Sequence, residues 1–387
     1  MKPLKILIFA GYYHPFRGGY VESIHGLSKG LVEKGHTVTI VTSNIYGDST
    51  KDIMDGVRIV RLPSWHILNK TFPVAKPSLK TWRLLRELSK EGYDVVSTQT
   101  RFFVTSFYGA CFALFKRLPL VHTERGAYHS VVTNKLIDWT SRAIDHTLGM
   151  MVVRIAKRNV GVSNAAAEFL KHLWARNVSR IPNGIDLIDK VNESKKNELK
   201  KKWELSPDDY VLLFVGRLIY GKGLQDVFPL VKDLVAVKPN LKLVVVAGGL
   251  YREELEKMIK DLGIGKYVKF LGLLQGDEVI ESLQMADAFV NPSHSEGLPR
   301  SVLEAAAAGL PIVASDVGGT NEIVEHEKTG LLFEAQDIET MGKHLTAVLK
   351  DEAYATGLGM TARERIKTSF GWPKIVADYE ELFYQTK

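Results

Sequence analysis

Short apolar runs of strand length alternate with longer amphipathic segments along the chain. The runs of the first half are KILIFA, TVTIVT, DVVST, LPLVHT and NVGVS. The amphipathic stretch over residues 19–34 follows the first of them. Nearly continuous apolar strands separated by helices are typical of a parallel sheet that is covered on both faces. The pattern therefore predicts an α/β fold.

The same alternation starts again after the segment RIPNGID (180–186) and a lysine-rich helical stretch near residues 193–203. The apolar runs of the second half are YVLLFVG, LKLVVVAG, VKFLG, AFVNPS and PIVASD. Two doubly wound domains in tandem, 1–182 and 183–369, are the simplest arrangement. Ligands of such folds bind at the carboxyl ends of the strands, so we expect a binding cleft between the two domains.

Size and composition agree with a two-domain globular protein. The chain has 387 residues and is 45% hydrophobic, which is too long for one ordinary core. Its single cysteine, Cys111, excludes an intramolecular disulfide and a cysteine-cluster zinc site, and favours a cytoplasmic location. The longest apolar stretch, 102–115, is shorter than the roughly 20 residues that cross a bilayer. We interpret the apolar run near the start as a buried strand and not as a secretory signal.

The basic charge is concentrated in the first half. Up to Asp186 there are 26 Lys and Arg against 13 Asp and Glu, whereas 25 face 31 in the remainder. Residues 64–90 also mix aromatic and basic side chains. Such a surface suits an anionic membrane, a phosphorylated or acidic acceptor, or nucleic acid, and it is equally compatible with a merely solvated face. No nucleic-acid-binding motif is present, so we expect no nucleic-acid partner.

The segment HSEGLPRSVLEAAAAG (294–309) predicts a helix that begins at an anion site. Pro299 suits the first helical turn, where no intrahelical amide bond is lost, so we expect a helix over residues 298–308 that Gly309 ends. Unpaired amides at the positive end of the helix dipole favour a phosphate group. The amides expected to face it are those of Gly297, Leu298 and Arg300.

Two carboxylates bracket this predicted anion site. Glu296 lies just outside the helix, and Glu304 lies about a turn and a half inside it. Acceptor groups on both sides of a diphosphate suit a nucleotide sugar, which carries hydroxyls at both ends. The segment alone is equally compatible with an acidic helix cap at Glu296 and a solvated helix residue at Glu304.

The segment GRLIYGKG provides two cations at the end of a predicted strand. Arg217 and Lys222 stand among Gly216, Gly221 and Gly223, which permit close backbone approach, so a diphosphate is the expected target. The segment is not a Walker A loop, because a glycine follows the lysine where that motif has Ser or Thr. Exposed turn cations without a ligand remain an alternative.

Two further turns carry weaker signals. Gly18 and Gly19 separate the first strand from a helix, where bare amides can approach a phosphate or a sugar. Leu271, in the FLG segment (270–272), ends a strand at which backbone groups can contact a nucleobase edge. Neither turn requires a ligand.

Together these segments resemble the retaining glycosyltransferases of family 4, also described as glycosyl transferases group 1, which have the GT-B fold. The resemblance covers essentially the whole chain in the right order. It rests on Gly18-Gly19, PNGID, GRLIYGKG, FLG, PSHSEGLPRSVLEAAAAGLPIVAS and DVGGTNEIV. It implies two Rossmann-like doubly wound domains that face a central cleft, the second of which binds the donor. The final helix, 370–387, is implied to return to the first, acceptor-side domain.

The resemblance also implies roles for particular residues. Glu296 is similar to the acid that contacts the donor sugar hydroxyls, and Glu304 to the one that holds the nucleotide ribose. Arg217 and Lys222 are similar to the pair that neutralises the diphosphate. Gly18, Gly19, Leu271, Gly297, Leu298 and Pro299 complete the implied donor-binding set.

The chain departs from the family at one catalytic position. Family members bring a histidine that precedes a glycine toward the reacting sugar, whereas Arg125 precedes Gly126 here. Arg125 is therefore our candidate, with Glu296, for the catalytic residues. His122 and Glu124 are nearby substitutes, although strand alternation directs His122 and Arg125 to different faces.

The function implied is transfer of a hexosyl unit, with retention of configuration, from a UDP- or GDP-sugar to a lipid-linked or glycan acceptor. Because two cations occupy the place of a metal and no Asp-x-Asp pair is present, we expect neither a metal nor another cofactor. We expect a cytoplasmic enzyme, peripheral on the inner face of the cell membrane. A nucleotide-sugar epimerase of the same two-domain architecture is the alternative.

Overall fold

A computed structural model describes residues 2–16, 18–47, 49–67, 72–127, 129 and 135–387. It consists of two compact units. Met1–Gly184 together with Trp372–Lys387 form the first, and Ile185–Gly371 form the second. Both boundaries lie two residues beyond those expected from the sequence. The cleft between the domains stays a prediction.

The first unit is built on an eight-stranded sheet with helices on both faces. Its strands, with a two-stranded hairpin formed by β5 and β6, are β1 (Lys5–Ala10), β2 (Thr37–Ser43), β3 (Lys51–Met54), β4 (Val57–Leu62), β5 (Ser64–Ile67), β6 (Phe72–Ala75), β7 (Val95–Gln99), β8 (Leu120–Glu124), β9 (Arg158–Gly161) and β10 (Val178–Arg180). Its helices before the second unit are α1 (Gly19–Glu33), α2 (Leu79–Leu88), α3 (Val104–Lys116), α4 (Lys135–Ile144), α5 (Met150–Ile155) and α6 (Asn164–His172), with a π-helical segment at Asp145–Gly149.

The sheet order is β10-β9-β8-β7-β1-β2-β4-β3, and every neighbouring pair is parallel except β3 with β4. The central strand β1 buries both of its faces. Ile6 and Ile8 belong to the core beneath α1, whereas Leu7 and Phe9 belong to the core beneath α3. A continuous apolar strand is what a parallel sheet with two covered faces requires, which confirms the prediction for this half.

The second unit repeats this architecture on a six-stranded, wholly parallel sheet of order β13-β12-β11-β14-β15-β16. The strands are β11 (Tyr210–Arg217), β12 (Leu241–Gly248), β13 (Val268–Gly272), β14 (Ala288–Asn291), β15 (Ile312–Ser315) and β16 (Leu331–Phe333). The helices are α7 (Glu193–Lys202), α8 (Leu224–Val227), α9 (Val231–Val237), α10 (Arg252–Leu262), α11 (Asp277–Met285), α12 (Arg300–Ala308), α13 (Thr320–Ile323), α14 (Ile338–Lys350) and α15 (Glu352–Ser369).

The last helix, α16 (Trp372–Thr386), belongs to the first unit and packs against α1. A Cβ on Gly26 would lie 2.1 Å from the Trp372 ring, and a Cβ on Gly30 would lie 2.5 Å from Val376. These two glycines of α1 therefore make room for side chains of α16. Among the described residues, no helix combines the length and apolar character needed to span a membrane.

Candidate active site

The loop after β11 holds Lys222 against the segment that follows β14. Gly223 has a φ of +67°, and a Cβ on it would lie 1.9 Å from the carbonyl oxygen of Pro292. Only glycine tolerates both this conformation and this contact. The amide of His294 also donates to the carbonyl oxygen of Gly221 at 2.9 Å. The two segments are thus packed backbone to backbone.

Lys222 and Glu296 form an ion pair across this contact. The Lys222 Nζ to Glu296 Oε1 distance is 2.6 Å, and the two side chains are 19% and 8% exposed. The hydroxyl of Ser293 donates to the same Oε1 at 2.7 Å. Within the part of the chain that the structure describes, Glu296 Oε2 accepts no hydrogen bond. One carboxylate oxygen is therefore fixed by two donors while the other can accept from a ligand.

Helix α12 begins two residues later than the sequence suggested. It starts at Arg300, and Pro299 is its extended N-cap residue, with φ −68° and ψ 112°. The predicted start at Leu298 is wrong because the residue before a proline is disfavoured in the helical region. Gly309, at φ +75°, ends the helix as predicted. The first-turn amides of α12 are those of Arg300, Ser301 and Val302, whereas Gly297 and Leu298 lie in the preceding loop.

That preceding loop is fixed by a glycine turn after β15. Gly318 has a φ of +57°, and a Cβ on it would lie 1.9 Å from the carbonyl oxygen of Glu296. The amide of Gly319 donates to the carbonyl oxygen of Gly297 at 2.7 Å. The backbone that carries Glu296 is therefore clamped by neighbouring loops on both sides.

Glu304 lies one turn inside α12 and is paired locally. Its Oε1 accepts from Arg300 Nε at 2.8 Å, and the two side chains are about equally half-buried. This is an i, i+4 pair of a kind that stabilises helices modestly. The structure therefore separates the two acids of the motif, since Glu296 contacts Lys222 and Glu304 contacts Arg300.

Arg217 and Leu271 lie at the same edge of the second sheet. Arg217 ends β11 with an exposed side chain, whose guanidinium pairs with no other described residue. Leu271 is the extra residue of a β-bulge, because Val245 pairs with Phe270 and Val246 with Gly272. Bulges leave a residue outside the strand ladder and are frequent beside active sites. The Leu271 backbone is thus released from pairing near the end of β13.

A histidine–carboxylate contact supports the same loops and was not predicted. His294 Nε2 lies 2.7 Å from Asp226 Oδ2, and the His294 ring meets the Tyr220 ring edge-on with centroids 5.2 Å apart. Ser293 was missed as well. Both Ser293 and His294 belong to the PSHSEG segment, but only the tertiary structure gives them partners.

In the first unit, Arg125 lies just beyond β8 and binds polar groups of neighbouring segments. Its Nε and a terminal nitrogen lie 3.3 and 3.1 Å from Gln99 Oε1, and its other terminal nitrogen binds the Asn183 side chain. Its guanidinium also lies 5.8 Å from the centre of the Tyr20 ring.

Gly18 and Gly19 directly precede Tyr20 at the start of α1. Gly18 has φ 150° and ψ 161°, a conformation nearly confined to glycine.

The two alternatives to Arg125 are buried in the sheet. His122 is fully buried, and its Nδ1 lies 2.9 Å from the Thr98 hydroxyl. Glu124 is also fully buried and lies 3.0 Å from a terminal nitrogen of Arg101. Neither side chain is presented to a ligand, so the structure does not support either as a substitute for the family's histidine.

Glu124 instead organises the loop that carries Arg125. Its Oε1 accepts hydrogen bonds from the amides of Arg125 and Gly126 at 3.0 and 2.8 Å. Arg101, which pairs with Glu124, also donates a hydrogen bond to Asp145 Oδ2 at 2.9 Å. Burial alone would raise the pKa of the Glu124 carboxyl, but the charge of Arg101, the contact with His122 and the Gly126 amide outweigh it and lower the pKa to about 2. This buried network was not foreseen from the sequence.

Two family models match consecutive parts of the chain. The model described as Glycosyltransferase Family 4 matches residues 17–188, and the one described as Glycosyl transferases group 1 matches residues 195–365. An uncharacterised glycosyltransferase of Methanocaldococcus jannaschii is 28% identical over 396 residues, covering 99% of each chain. The alpha-monoglucosyldiacylglycerol synthase of Acholeplasma laidlawii is 27% identical over 353 residues, covering 88% of this chain and 87% of that protein.

Solved structures share the fold. The Anabaena protein Alr3699/HepE, crystallised with UDP and glucose, aligns with a TM-score of 0.79 at 19% identity over 99% of this chain and 100% of that one. The architecture is thus that of a GT-B glycosyltransferase with two Rossmann-like domains. The chain belongs to the glycosyltransferases of the family 4 type. The predicted family and fold class are confirmed, and the epimerase alternative is not favoured.

Proposed function

We propose that this glycosyltransferase moves a hexosyl unit, with retention of anomeric configuration, from a UDP- or GDP-sugar to a lipid-linked or glycan acceptor. The observation that carries the proposal is the Lys222–Glu296 pair beside the first turn of α12. It combines a fixed cation, a carboxylate oxygen without a partner among the described residues, and unpaired helix amides at the carboxyl edge of a parallel sheet.

The diphosphate of the donor is held by positive groups of the second unit. Lys222 and the exposed Arg217 supply charge, and the amides of Arg300 and Ser301 supply oriented donors at the positive end of α12. Glu296 Oε2 accepts from the sugar hydroxyls. Glu304 exchanges its contact with Arg300 for the ribose hydroxyls, and the bulged backbone at Leu271 contacts the base.

Transfer proceeds on the face from which the diphosphate leaves. The acceptor oxygen forms a bond to the anomeric carbon as the bond from that carbon to the diphosphate oxygen breaks. The acceptor proton passes to the departing diphosphate. Lys222, Arg217 and the α12 amides stabilise the charge that grows on the leaving group, which is the interaction that accelerates such a step. We propose that these groups act without a catalytic metal. The contributions of Gly18, Gly19 and Arg125 stay predictions.

The acceptor side carries positive charge and exposed apolar groups. A cavity of about 230 Å³ at the ends of β2 and β4 is lined by Arg61, Lys76 and Lys80, among others. Largely exposed apolar side chains lie on α2, α3 and the β5–β6 hairpin, namely Leu79, Trp82, Leu114, Phe115 and Trp65. Cations beside exposed aromatics favour docking to an anionic lipid surface. The diacylglycerol glycolipid synthase among the relatives supports a lipid acceptor.

A donor screen tests the proposal. The purified chain is incubated with a panel of UDP- and GDP-sugars, with and without anionic vesicles that contain diacylglycerol, and nucleotide release and glycolipid formation are measured. We expect one donor to be used, an α-linked product from an α-linked donor by NMR, and an unchanged rate when Mg²⁺ or Mn²⁺ is omitted. Inversion of configuration, or a strict need for Mg²⁺, would contradict the corresponding part of the proposal.

A further inference from the structure

Three histidines of the first unit, none of them assigned to the donor, lie close together. His129 follows β8, His146 lies in the π-helical segment, and His172 is the last residue of α6. One ring nitrogen from each lies within 4.8 Å of the other two. His146 and His172 are exposed, and the His129 side chain is 15% exposed. We propose that these three imidazoles bind a divalent transition-metal ion of the zinc type.

A buried carboxylate already orients one of the three histidines. His129 Nδ1 lies 2.7 Å from Asp145 Oδ2, and the Asp145 side chain is 1% exposed. An imidazole that donates one N–H to a carboxylate directs its other nitrogen, here Nε2, outward as a ligand, which is the usual arrangement behind metal-bound histidines. Asp145 is itself held by Arg101 at 2.9 Å. The buried side of the site is therefore rigid and oriented.

The exposed side can adjust to the ion. Nitrogen ligands around tetrahedral Zn²⁺ are about 3.4 Å apart at a metal–nitrogen distance of roughly 2.1 Å. The ring nitrogens of the three histidines are up to 4.8 Å apart. Small rotations of the two solvent-exposed rings would bring these nitrogens to the shorter distance. His146 belongs to a π-helical turn, a local irregularity that often occurs at functional sites.

The ligand set indicates which ion binds. Three imidazoles suit Zn²⁺, Co²⁺, Ni²⁺ or Cu²⁺, whereas Mg²⁺ and Ca²⁺ prefer oxygen ligands. Three protein ligands leave the fourth position for water. This site was not predicted from the sequence, because the spacings from 129 to 146 and from 146 to 172 match no recognised metal motif.

Metal binding would join three segments that are distant in sequence. Through Asp145 the ion is linked to Arg101 and Glu124, and Glu124 accepts the amides of Arg125 and Gly126. The ion therefore stabilises the first unit, including the loop that carries Arg125, and takes no part in the donor chemistry proposed above.

The test uses the full chain without a histidine tag, after treatment with a chelator and its removal. Binding of Zn²⁺ is measured by calorimetry, and binding of Co²⁺ by its visible absorption. We expect one ion per chain with a Zn²⁺ Kd near or below about 10 µM, and a higher melting temperature at saturation because the ion binds the folded state.

The variants H146A and H172A remove exposed side chains, so the fold is retained. Each should weaken Zn²⁺ binding by more than about tenfold, since even the loss of an outer-shell partner costs roughly 10–100-fold. Lys171→Ala is the matched control, because Lys171 is an exposed neighbour of His172 whose one ion pair with a described residue is with Glu168. The Zn²⁺ Kd of this variant should be unchanged.

The absence of saturable 1:1 binding, or equal affinity in wild type, H146A and H172A, would overturn the inference. Neither result bears on donor turnover, which is assayed separately with the donor panel. The metal site and the proposed transferase reaction can thus fail independently.

Discussion

Two carboxylate–cation pairs stand at the carboxyl edges of the two sheets, and burial distinguishes them. Glu124 and Arg101 in the first unit are at most 1% exposed, and further partners surround both. Glu296 and Lys222 in the second unit are 8% and 19% exposed, and one carboxylate oxygen has no partner among the described residues. A carboxylate–cation pair therefore stabilises the interior of the first unit, whereas the corresponding pair of the second unit can contact a ligand.

The largest difference should appear in the stability of alanine variants. Glu124→Ala leaves the buried Arg101 with one anion fewer and removes the acceptor of three backbone amides, those of Arg101, Arg125 and Gly126. We expect a loss of about 3–5 kcal/mol in the free energy of unfolding, measured by urea denaturation followed by circular dichroism. Glu296→Ala should cost less than about 1 kcal/mol, because Lys222 can reach water. Equal losses in the two variants would refute the distinction.

The order should reverse when turnover is measured. Glu296→Ala removes both the anchor of Lys222 and the acceptor for the sugar hydroxyls, so kcat should fall by about 10²–10³-fold, a typical cost of losing a preorganised polar contact. Glu296→Gln keeps the shape and should retain more activity than the alanine variant. An unchanged kcat in Glu296→Ala would contradict the assignment of Glu296 to the donor site.

Acid should weaken the first unit through Glu124. The pKa of this carboxyl is lowered to about 2 in the folded chain, against about 4.3 when unfolded. Its contribution to stability is therefore complete above about pH 4.5 and is lost as the pH falls toward 2, by roughly 3 kcal/mol in total. Unfolding free energies measured from pH 6 to pH 3 should decline less steeply in Glu124→Gln. Parallel pH profiles in wild type and variant would contradict this cause.

The loop that carries Lys222 offers a matched pair of glycines. A Cβ at Gly223 would collide with the Pro292 carbonyl oxygen, and the backbone there is left-handed, with φ +67°. A Cβ at Gly221 would meet no atom of the described residues within 4 Å. Gly223→Ala should destabilise the loop by about 1–3 kcal/mol and raise the donor KM. Gly221→Ala should change both quantities much less. Similar donor KM values in the two variants would show that packing against Pro292 does not position Lys222.

The smallest effect is expected at Glu304. Glu304 pairs with Arg300 one turn earlier on α12, and loss of such an i, i+4 pair in Glu304→Ala should lower the free energy of unfolding by no more than about 0.5 kcal/mol. If the carboxylate holds the ribose, the donor KM should rise by roughly tenfold, as expected for one hydrogen bond to a charged group. Steady-state kinetics with the preferred donor measure this change. A donor KM equal to that of wild type would show that Glu304 does not bind the ribose.

The sequence predicted some features well because they depend on local or periodic information. Alternating apolar runs in both halves indicated two parallel sheets, and the end of α12 at Gly309 follows from the preference of glycine for the left-handed conformation. The start of α12 was misplaced because Pro299 was assigned to the first turn, whereas its ψ of 112° makes it the cap. Whether Pro299 is the cap or the first helical residue is decided by its backbone dihedral angles, and the residue type alone does not determine them.

By itself, the sequence determined the fold class, the two-domain organisation and the segments that carry the candidate donor residues, because periodicity, glycine and proline act over a few neighbouring positions. Only the tertiary structure decided which charges meet. It paired Glu296 with Lys222, buried Glu124 with Arg101, and brought together histidines from residues 129, 146 and 172. Burial and long-range pairing depend on how strands and loops assemble, and no local pattern in the chain encodes them.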